Sequence, residues 1–326
     1  MQRVEKRGKS GFRTLAGIIV VGLLGGTLLT HMENAQAEVS IKTIDYHGWK
    51  DAYRLSNGTV EVIVVPQIGR IMHYGLVNGP NMLWNNADLA GKTTDLASGV
   101  KDWNNYGGDK LWPAPQSRWG WPPDPVIDSA PQKVKALPNH HLLMVGQASQ
   151  TAGVRFEREI ALEPTGTRVT LINTIINTGQ KNGPATVDWG VWEVAQVDDP
   201  AEARLMLNKH GLFPDGFHIL SDKPLLPEAF RRTDTQLILK RHPQTSAKVG
   251  GDAPEGVLEA IVKGFKFTVS TVHEAGAAYP DGGCAQEIYT STDPAKYVEL
   301  ELLGPMQALK PDAARQFVTH WNLTKM

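Results

Sequence analysis

The chain has 326 residues, with 33 basic and 34 acidic side chains and a formal net charge of −1 at pH 7. This balance of charge excludes the strong electrostatic attraction on which nucleic-acid binding depends, so we expect no nucleic-acid partner. Cys284 is the only cysteine, which excludes an internal disulfide. The stability of the fold must therefore come from buried side chains.

The first 37 residues have the three parts of a secretory signal. Five basic residues come before an uncharged apolar run at 15–29, and Ala35 and Ala37 form an Ala-x-Ala cleavage site. The sequence predicts cleavage after Ala37 and a periplasmic or secreted protein with no stable membrane span. The alternative is an uncleaved segment that anchors the same domain to the membrane. Removing the five basic and two acidic residues of this segment leaves 28 basic and 32 acidic residues in a single predicted domain, 38–326.

Short runs in which apolar and polar residues alternate follow the signal, and this pattern is typical of β-strands. The clearest run, residues 154–162, places apolar side chains on one face with Arg158 as the one interruption. The other predicted strands cover residues 59–65, 168–177, 186–197, 236–240, 256–262, 265–273, 297–303 and 316–323. So many short strands predict an all-β fold, a large antiparallel sandwich.

Two segments rich in proline and glycine, residues 85–131 and 200–227, interrupt the strand pattern. Loops of this length in a compact domain are usually functional. Bulky aromatic residues occur in both segments, which is untypical of a linker between domains. The sequence therefore predicts two long functional loops within one domain.

The first of these segments contains an unusual stretch, residues 103–125, with four tryptophans among glycines, prolines and polar residues. Indole rings can stack on the apolar face of a sugar, and the polar side chains around them can bind its hydroxyl groups. The alternative is a stiffened loop whose tryptophans are buried as a small core of their own. The candidate substrate-binding residues here are Asn105, Asp109, Lys110, Trp112, Gln116, Arg118, Trp119 and Trp121.

Two predicted strands carry further candidates. The alternation in strand 186–197 places Asp188 and Trp192 on one face, and we expect them to bind substrate unless that tryptophan is simply packed in the core. In strand 297–303 the same period places Glu299 and Glu301 on one face. Two neighbouring carboxylates can divide base and acceptor roles, because like charges close together raise the pKa of one of them. A solvated outer face of the sheet is the alternative.

The ten histidines form no convincing metal-binding set, and adjacent His140 and His141 would point to opposite sides if they lay on a strand. Nucleotide-binding and nucleophile-elbow motifs are absent from the sequence. We therefore expect neither a metal nor a cofactor.

Three segments, taken in order, resemble the galactose mutarotase-like superfamily, which includes the aldose epimerases. The first is the strand ending at Pro66, with the Ile-Gly-Arg turn that contains Arg70 and the Asn-Met-Leu-Trp run at 81–84. The second is residues 169–179, which end in Asn-Thr-Gly. The third is residues 299–311 with the closing strand. This resemblance implies a β-supersandwich, a carbohydrate ligand and a place for Arg70 near the floor of the sugar site.

In mutarotases a glutamate removes the proton of the anomeric hydroxyl while a histidine protonates the ring oxygen. The resemblance assigns the base to Glu299, with Glu301 as the alternative. It assigns no residue to the acid that protonates the ring oxygen, because residues 188–192 contain no histidine. We therefore predict an exported carbohydrate-binding protein, with chemistry at the anomeric centre in doubt. The alternatives are a non-catalytic recognition or scaffold module and a relative of polysaccharide lyases or hydrolases.

Overall fold

The computed structural model describes residues 38–97, 103–179, 183–221 and 226–326, and the predicted signal lies outside them. Strands β1 to β21 are Ser40–Tyr46, Trp49–Ser56, Val60–Val65, Arg70–Leu76, Asp109–Ala114, Lys133–Ala136, Leu142–Val145, Val154–Leu162, Val169–Asn177, Val187–Asp198, Glu202–Met206, His218–Ile219, Phe230–Arg232, Gln236–Leu239, Ala247–Gly251, Val257–Val262, Phe265–Thr271, Gln286–Thr290, Tyr297–Leu303, Gln307–Leu309 and Ala314–Lys325. A short helix, α1, covers Pro125–Asp128, and 3-10 turns cover Pro66–Ile68, Ala87–Leu89 and Gln116–Arg118. No helix in these ranges is long and apolar enough to cross a membrane.

The strands form two antiparallel sheets that pack face to face. The larger sheet runs β1-β2-β3-β4-β5-β10-β19-β18-β15-β12, with β20 beside β10. The smaller runs β13-β14-β11-β16-β17-β21-β9-β8-β7-β6. Apolar side chains from both sheets form one continuous core between them, which confirms the predicted all-β sandwich.

The nine strands predicted from alternation are all present, with ends that differ by at most two residues from the prediction. In β8 buried and half-buried residues alternate along the whole strand. Arg158, the interruption in that pattern, points into the core and pairs there with Asp109 and Glu193. Its position on the apolar face is therefore explained by buried partners on the other sheet.

The prediction of two long loops is partly wrong, because both segments contain strands. Segment 85–131 contains β5, which lies near the centre of the larger sheet, and segment 200–227 contains β11 and β12. The sequence does not predict β5, because Pro113 lacks the backbone N–H that a central strand needs. In the fold β5 pairs with β4 only at Asp109, so among the described residues Pro113 has a strand partner on the β10 side alone.

Strand register positions the candidate site on the outer face of the larger sheet. Residues directly opposite each other on neighbouring antiparallel strands point to the same face. One row across the sheet is Lys110, Val194, Glu301 and Glu287, and the next is Gln196, Glu299, Tyr289 and Lys248. Charged groups from β5, β19, β18 and β15 are thereby brought together on the face that points away from the core.

Candidate functional site

A pocket of about 930 Å³ lies over the outer face of the larger sheet. We call it the main pocket. Its wall combines tryptophans, tyrosines, carboxylates and a lysine, which is the mixture typical of sites for polar ligands with apolar faces. The residues that line it are Trp103, Trp112, Gln116, Trp121, Trp192, Leu220, Ser221, Leu226, Pro227, Glu228, Gln244, Thr245, Ser246, Ala247, Lys248, Tyr289, Tyr297, Glu299 and Glu301.

Four tryptophans form one wall of the main pocket. The ring centroids of Trp103 lie 5.0 Å from Trp121 and 5.9 Å from Trp112, and Trp112 lies 5.2 Å from Trp192, all edge to face. Trp121 is 58 % exposed, whereas Trp112 is buried. The ring of Trp121 is thus open to a ligand, while the deeper rings shape the floor.

Asp128 holds two of these tryptophans in place. Its carboxylate oxygens accept the indole N–H groups of Trp112 at 2.9 Å and Trp103 at 3.2 Å. Arg70 pairs with the same carboxylate at 2.8 Å, and both charged groups are buried. Arg70 therefore supports the aromatic wall from behind and does not line the pocket.

Glu299 lies in the opposite wall. Its Oε1 accepts hydrogen bonds from Gln196 Nε2 at 2.9 Å and from Lys110 Nζ at 3.3 Å. Lys110 is buried under the tryptophans, with its ammonium 4.6 Å from the ring centroid of Trp112. Burial lowers the pKa of Lys110, against the attraction of Glu299. Both neighbours donate to the same oxygen, so Glu299 lies in the pocket wall as a hydrogen-bond acceptor.

Glu301 belongs to a buried cluster with one cation. Its Oε2 accepts from Trp192 Nε1 at 2.7 Å and lies 2.9 Å from Lys248 Nζ, which also contacts Glu287 at 2.5 Å. Burial raises the pKa of both glutamates. Burial lowers the pKa of Lys248, but its two carboxylate neighbours outweigh this and raise it overall. One ammonium thus faces two buried carboxylates, and the two glutamates share a single cation.

The predicted site residues fall into four places. The main pocket brings together Trp112, Gln116, Trp121, Trp192, Glu299 and Glu301, with Lys110 beneath them. Arg118, Trp119 and Asp188 line a second pocket. The side chain of Asn105 reaches the Tyr297 hydroxyl at the edge of the main pocket.

Arg70 and Asp109 are the two candidates that lie in the interior, away from both pockets. Asp109 points between the sheets and pairs with Arg158, and burial raises its pKa to about 8. Asp109 and Lys110 are consecutive residues of β5, so their side chains point to opposite faces of the sheet. Only Lys110 can therefore serve the outer face.

Sequence reasoning missed several residues of the main pocket. Lys248, Tyr289 and Tyr297 line it, Gln196 donates to Glu299, and Glu287 shares the ammonium of Lys248 with Glu301. The period-two pattern of β10 could have found Gln196, which shares a face with Trp192. No local signal marks Lys248, because its partners lie on other strands.

Groups of three or more metal-binding side chains are absent from the described residues. The residues that line the main pocket include no histidine. A proton donor for the ring oxygen of a sugar would therefore have to be another group. The candidates are Lys110 and Glu301, which are buried, and Lys248, which is partly exposed.

Comparisons with known proteins bear on the fold of this chain. Residues 51–207, just under half of the chain, match a domain of unknown function, DUF4380. No curated protein matches the chain. Among solved structures, a putative aldose 1-epimerase from Escherichia coli K12 is similar over 84 % of this chain and 99 % of its own, with a TM-score of 0.55 and 13 % identity.

Two further structures give the same result. A galactose mutarotase-like protein from Clostridium acetobutylicum has a TM-score of 0.56 at 12 % identity, covering 89 % of this chain and 99 % of its own. A galactose mutarotase related enzyme from Lactobacillus acidophilus has a TM-score of 0.54 at 11 % identity, covering 84 % and 97 %. At these identities the likeness concerns the fold alone, and it confirms that this chain has the galactose mutarotase-like fold.

Proposed function

We propose that this protein binds a carbohydrate in the main pocket. The observation that carries the proposal is the pairing of an open tryptophan wall with Glu299 and Glu301 on the outer face of a mutarotase-like sandwich. A sugar ring presents C–H groups on its faces and hydroxyl groups around its rim. Tryptophan rings can stack on the C–H groups of the sugar faces, and carboxylates can accept hydrogen bonds from the hydroxyl groups of the rim.

Proton transfer at the anomeric carbon is the second candidate function. It is favoured by Glu299, which accepts a hydrogen bond from Lys110, whose pKa burial lowers. In this case Glu299 takes the proton of the anomeric hydroxyl, and a neighbouring acid returns one to the ring oxygen. A non-catalytic recognition module and a lyase or hydrolase remain the other outcomes that a test must separate.

A glycan array probed with the purified domain, followed by calorimetry on the best ligand, tests the proposal. We expect binding, and we expect Trp121→Ala to weaken it about tenfold. Covering about 60 Å² of ring surface at about 25 cal/mol per Å² is worth about 1.5 kcal/mol. Trp121 is exposed, so its replacement should leave folding intact.

Val272→Ala is the matched control, because Val272 is 79 % exposed and follows β17 on the other sheet. Its affinity should equal that of the unchanged protein. Absence of glycan binding, or equal losses in the two variants, would contradict the proposal.

We propose in addition that the protein is exported and works in the periplasm or outside the cell. The support is the signal-like pattern of residues 1–37. The protein recovered from the cell envelope or medium is expected to begin at Glu38. Mass spectrometry of its N-terminus checks this, and an intact N-terminus in the soluble cell fraction would overturn both the cleavage and the location.

A further inference from the structure

A second pocket of about 410 Å³ lies beside the main one. Its walls are three tryptophans, three prolines and a few polar groups. It falls in the size range of ligand sites, and its mostly apolar lining with a few polar groups is typical of them. The residues that line it are Trp112, Pro113, Arg118, Trp119, Pro123, Asp124, Ile127, Thr151, Ala152, Pro184, Thr186, Val187, Asp188 and Trp189.

Trp189 lines this pocket, and its indole N–H is an unused hydrogen-bond donor. The side chain is only 6 % exposed, and its Nε1 has no hydrogen-bond partner among the described residues. By contrast, Trp112 donates to Asp128 and Trp119 donates to the carbonyl of Pro113 at 2.7 Å. A buried N–H without an acceptor is costly, so an acceptor oxygen from a ligand would be favourable here.

Charged groups lie at the mouth of the second pocket. The Arg118 guanidinium lies 5.5 Å from the ring centroid of Trp189 and 3.2 Å from Asp188 Oδ2. Both charged side chains are more than 40 % exposed, so they can exchange this contact for ligand hydroxyl groups at little cost. Ring faces, an unused donor and charged groups at the mouth match a second sugar ring better than a purely apolar group.

The two pockets share one side chain. Trp112 lines both of them, and the turn Gln116–Arg118 contributes Gln116 to the main pocket and Arg118 to the second. Trp119 packs edge to face on Trp112 at 5.6 Å. The indole of Trp112 is therefore a part of the wall that the two pockets have in common.

We propose that the second pocket binds a further sugar unit of the same ligand, so that the ligand is an oligosaccharide. This inference rests on the proposed function of the main pocket. It assigns the terminal unit to the glutamates and the adjoining unit to Trp119 and Trp189.

Calorimetry with glucose, galactose and their linked oligomers of two to four units tests the inference. We expect affinity to rise at least about tenfold from the single sugar to the oligomer. Trp189→Phe, which keeps a ring but removes the N–H, should weaken oligomer binding about fivefold and leave single-sugar binding unchanged. Thr186→Trp, an exposed change that fills the pocket from its rim, should have the same selective effect.

Trp49→Phe is the control for the first variant. Trp49 is buried, donates to the carbonyl of Lys92 and lines neither pocket, so its replacement should not change the dependence on ligand length. Single-sugar binding without any gain from length overturns the inference and leaves the proposed function standing. A stronger preference for an aryl glycoside than for any oligomer overturns it too, because the pocket would then serve an aromatic group. Absence of all binding overturns both.

Discussion

Replacing Arg158 with methionine is expected to destabilise the domain by about 3–5 kcal/mol. Arg158 lies between the sheets, with Asp109 and Glu193 as its charge partners and Asn173 Oδ1 accepting from its Nε at 2.7 Å. The substitution preserves much of the side-chain volume but leaves two buried carboxylates without a cation. Thermal unfolding should show a fall of roughly 10 °C in the melting temperature, since each kcal/mol is worth about 2–4 °C in a domain of this size.

Arg155→Met in the same strand is the matched control. Arg155 is partly exposed and pairs with Glu157, so its loss should cost no more than about 0.5 kcal/mol. A triple variant that combines Arg158→Met with Asp109→Asn and Glu193→Gln should recover much of the lost stability. Equal melting temperatures for the Arg155 and Arg158 variants would show that the buried cluster does not stabilise the fold.

This cluster illustrates what the sequence can predict. Alternation identified β8 and placed Arg158 on its apolar face, because a strand has a strict period of two. The same period put Glu299 and Glu301 on one face of β19. Both glutamates are buried, so the alternative of a solvated outer face is wrong.

The partners of these residues could not be predicted, because they depend on register between strands far apart in the chain. Lys110 and Glu299 are separated by 189 residues, and the order β5-β10-β19 that joins them follows from the whole sheet. Because of Pro113, the sequence pattern predicts a loop over residues 85–131 and does not reveal β5. The candidates Asp109 and Lys110 therefore could not be assigned to opposite faces in advance.

The two buried clusters have a common feature. Arg158 faces two carboxylates in the core, and Lys248 faces two beneath the main pocket. Each cluster has one more carboxylate than cations, and burial raises the pKa of Asp109, Glu287 and Glu301. The contribution of such a carboxyl group to the stability of the fold is fully present at low pH, where the group is protonated in both states. It is lost as the pH rises through the raised pKa of the folded state. By contrast, the pair of Lys110 and Glu299 has one cation for one carboxylate.

Anomer exchange of free glucose or galactose is expected to be weak or absent, although the pocket binds sugar. The described residues of the main pocket include no histidine to protonate the ring oxygen. Loss of one general acid typically costs about a hundred- to ten-thousand-fold in rate, which brings a mutarotase close to the spontaneous reaction. Polarimetry measures this exchange directly.

In the same experiment Glu299→Gln should weaken sugar binding at least about tenfold in calorimetry, because a charged acceptor is worth about 1.5–3 kcal/mol in a hydrogen bond. Glu228→Gln is the control, since Glu228 lines the same pocket but is exposed at its rim, and its affinity should change less than about twofold. Unfolding curves of both variants check that the unpaired Lys110 has not disrupted the fold. Fast exchange that Glu299→Gln abolishes would contradict the expectation, because Lys110 or another buried acid would then supply the proton and the protein would be an epimerase.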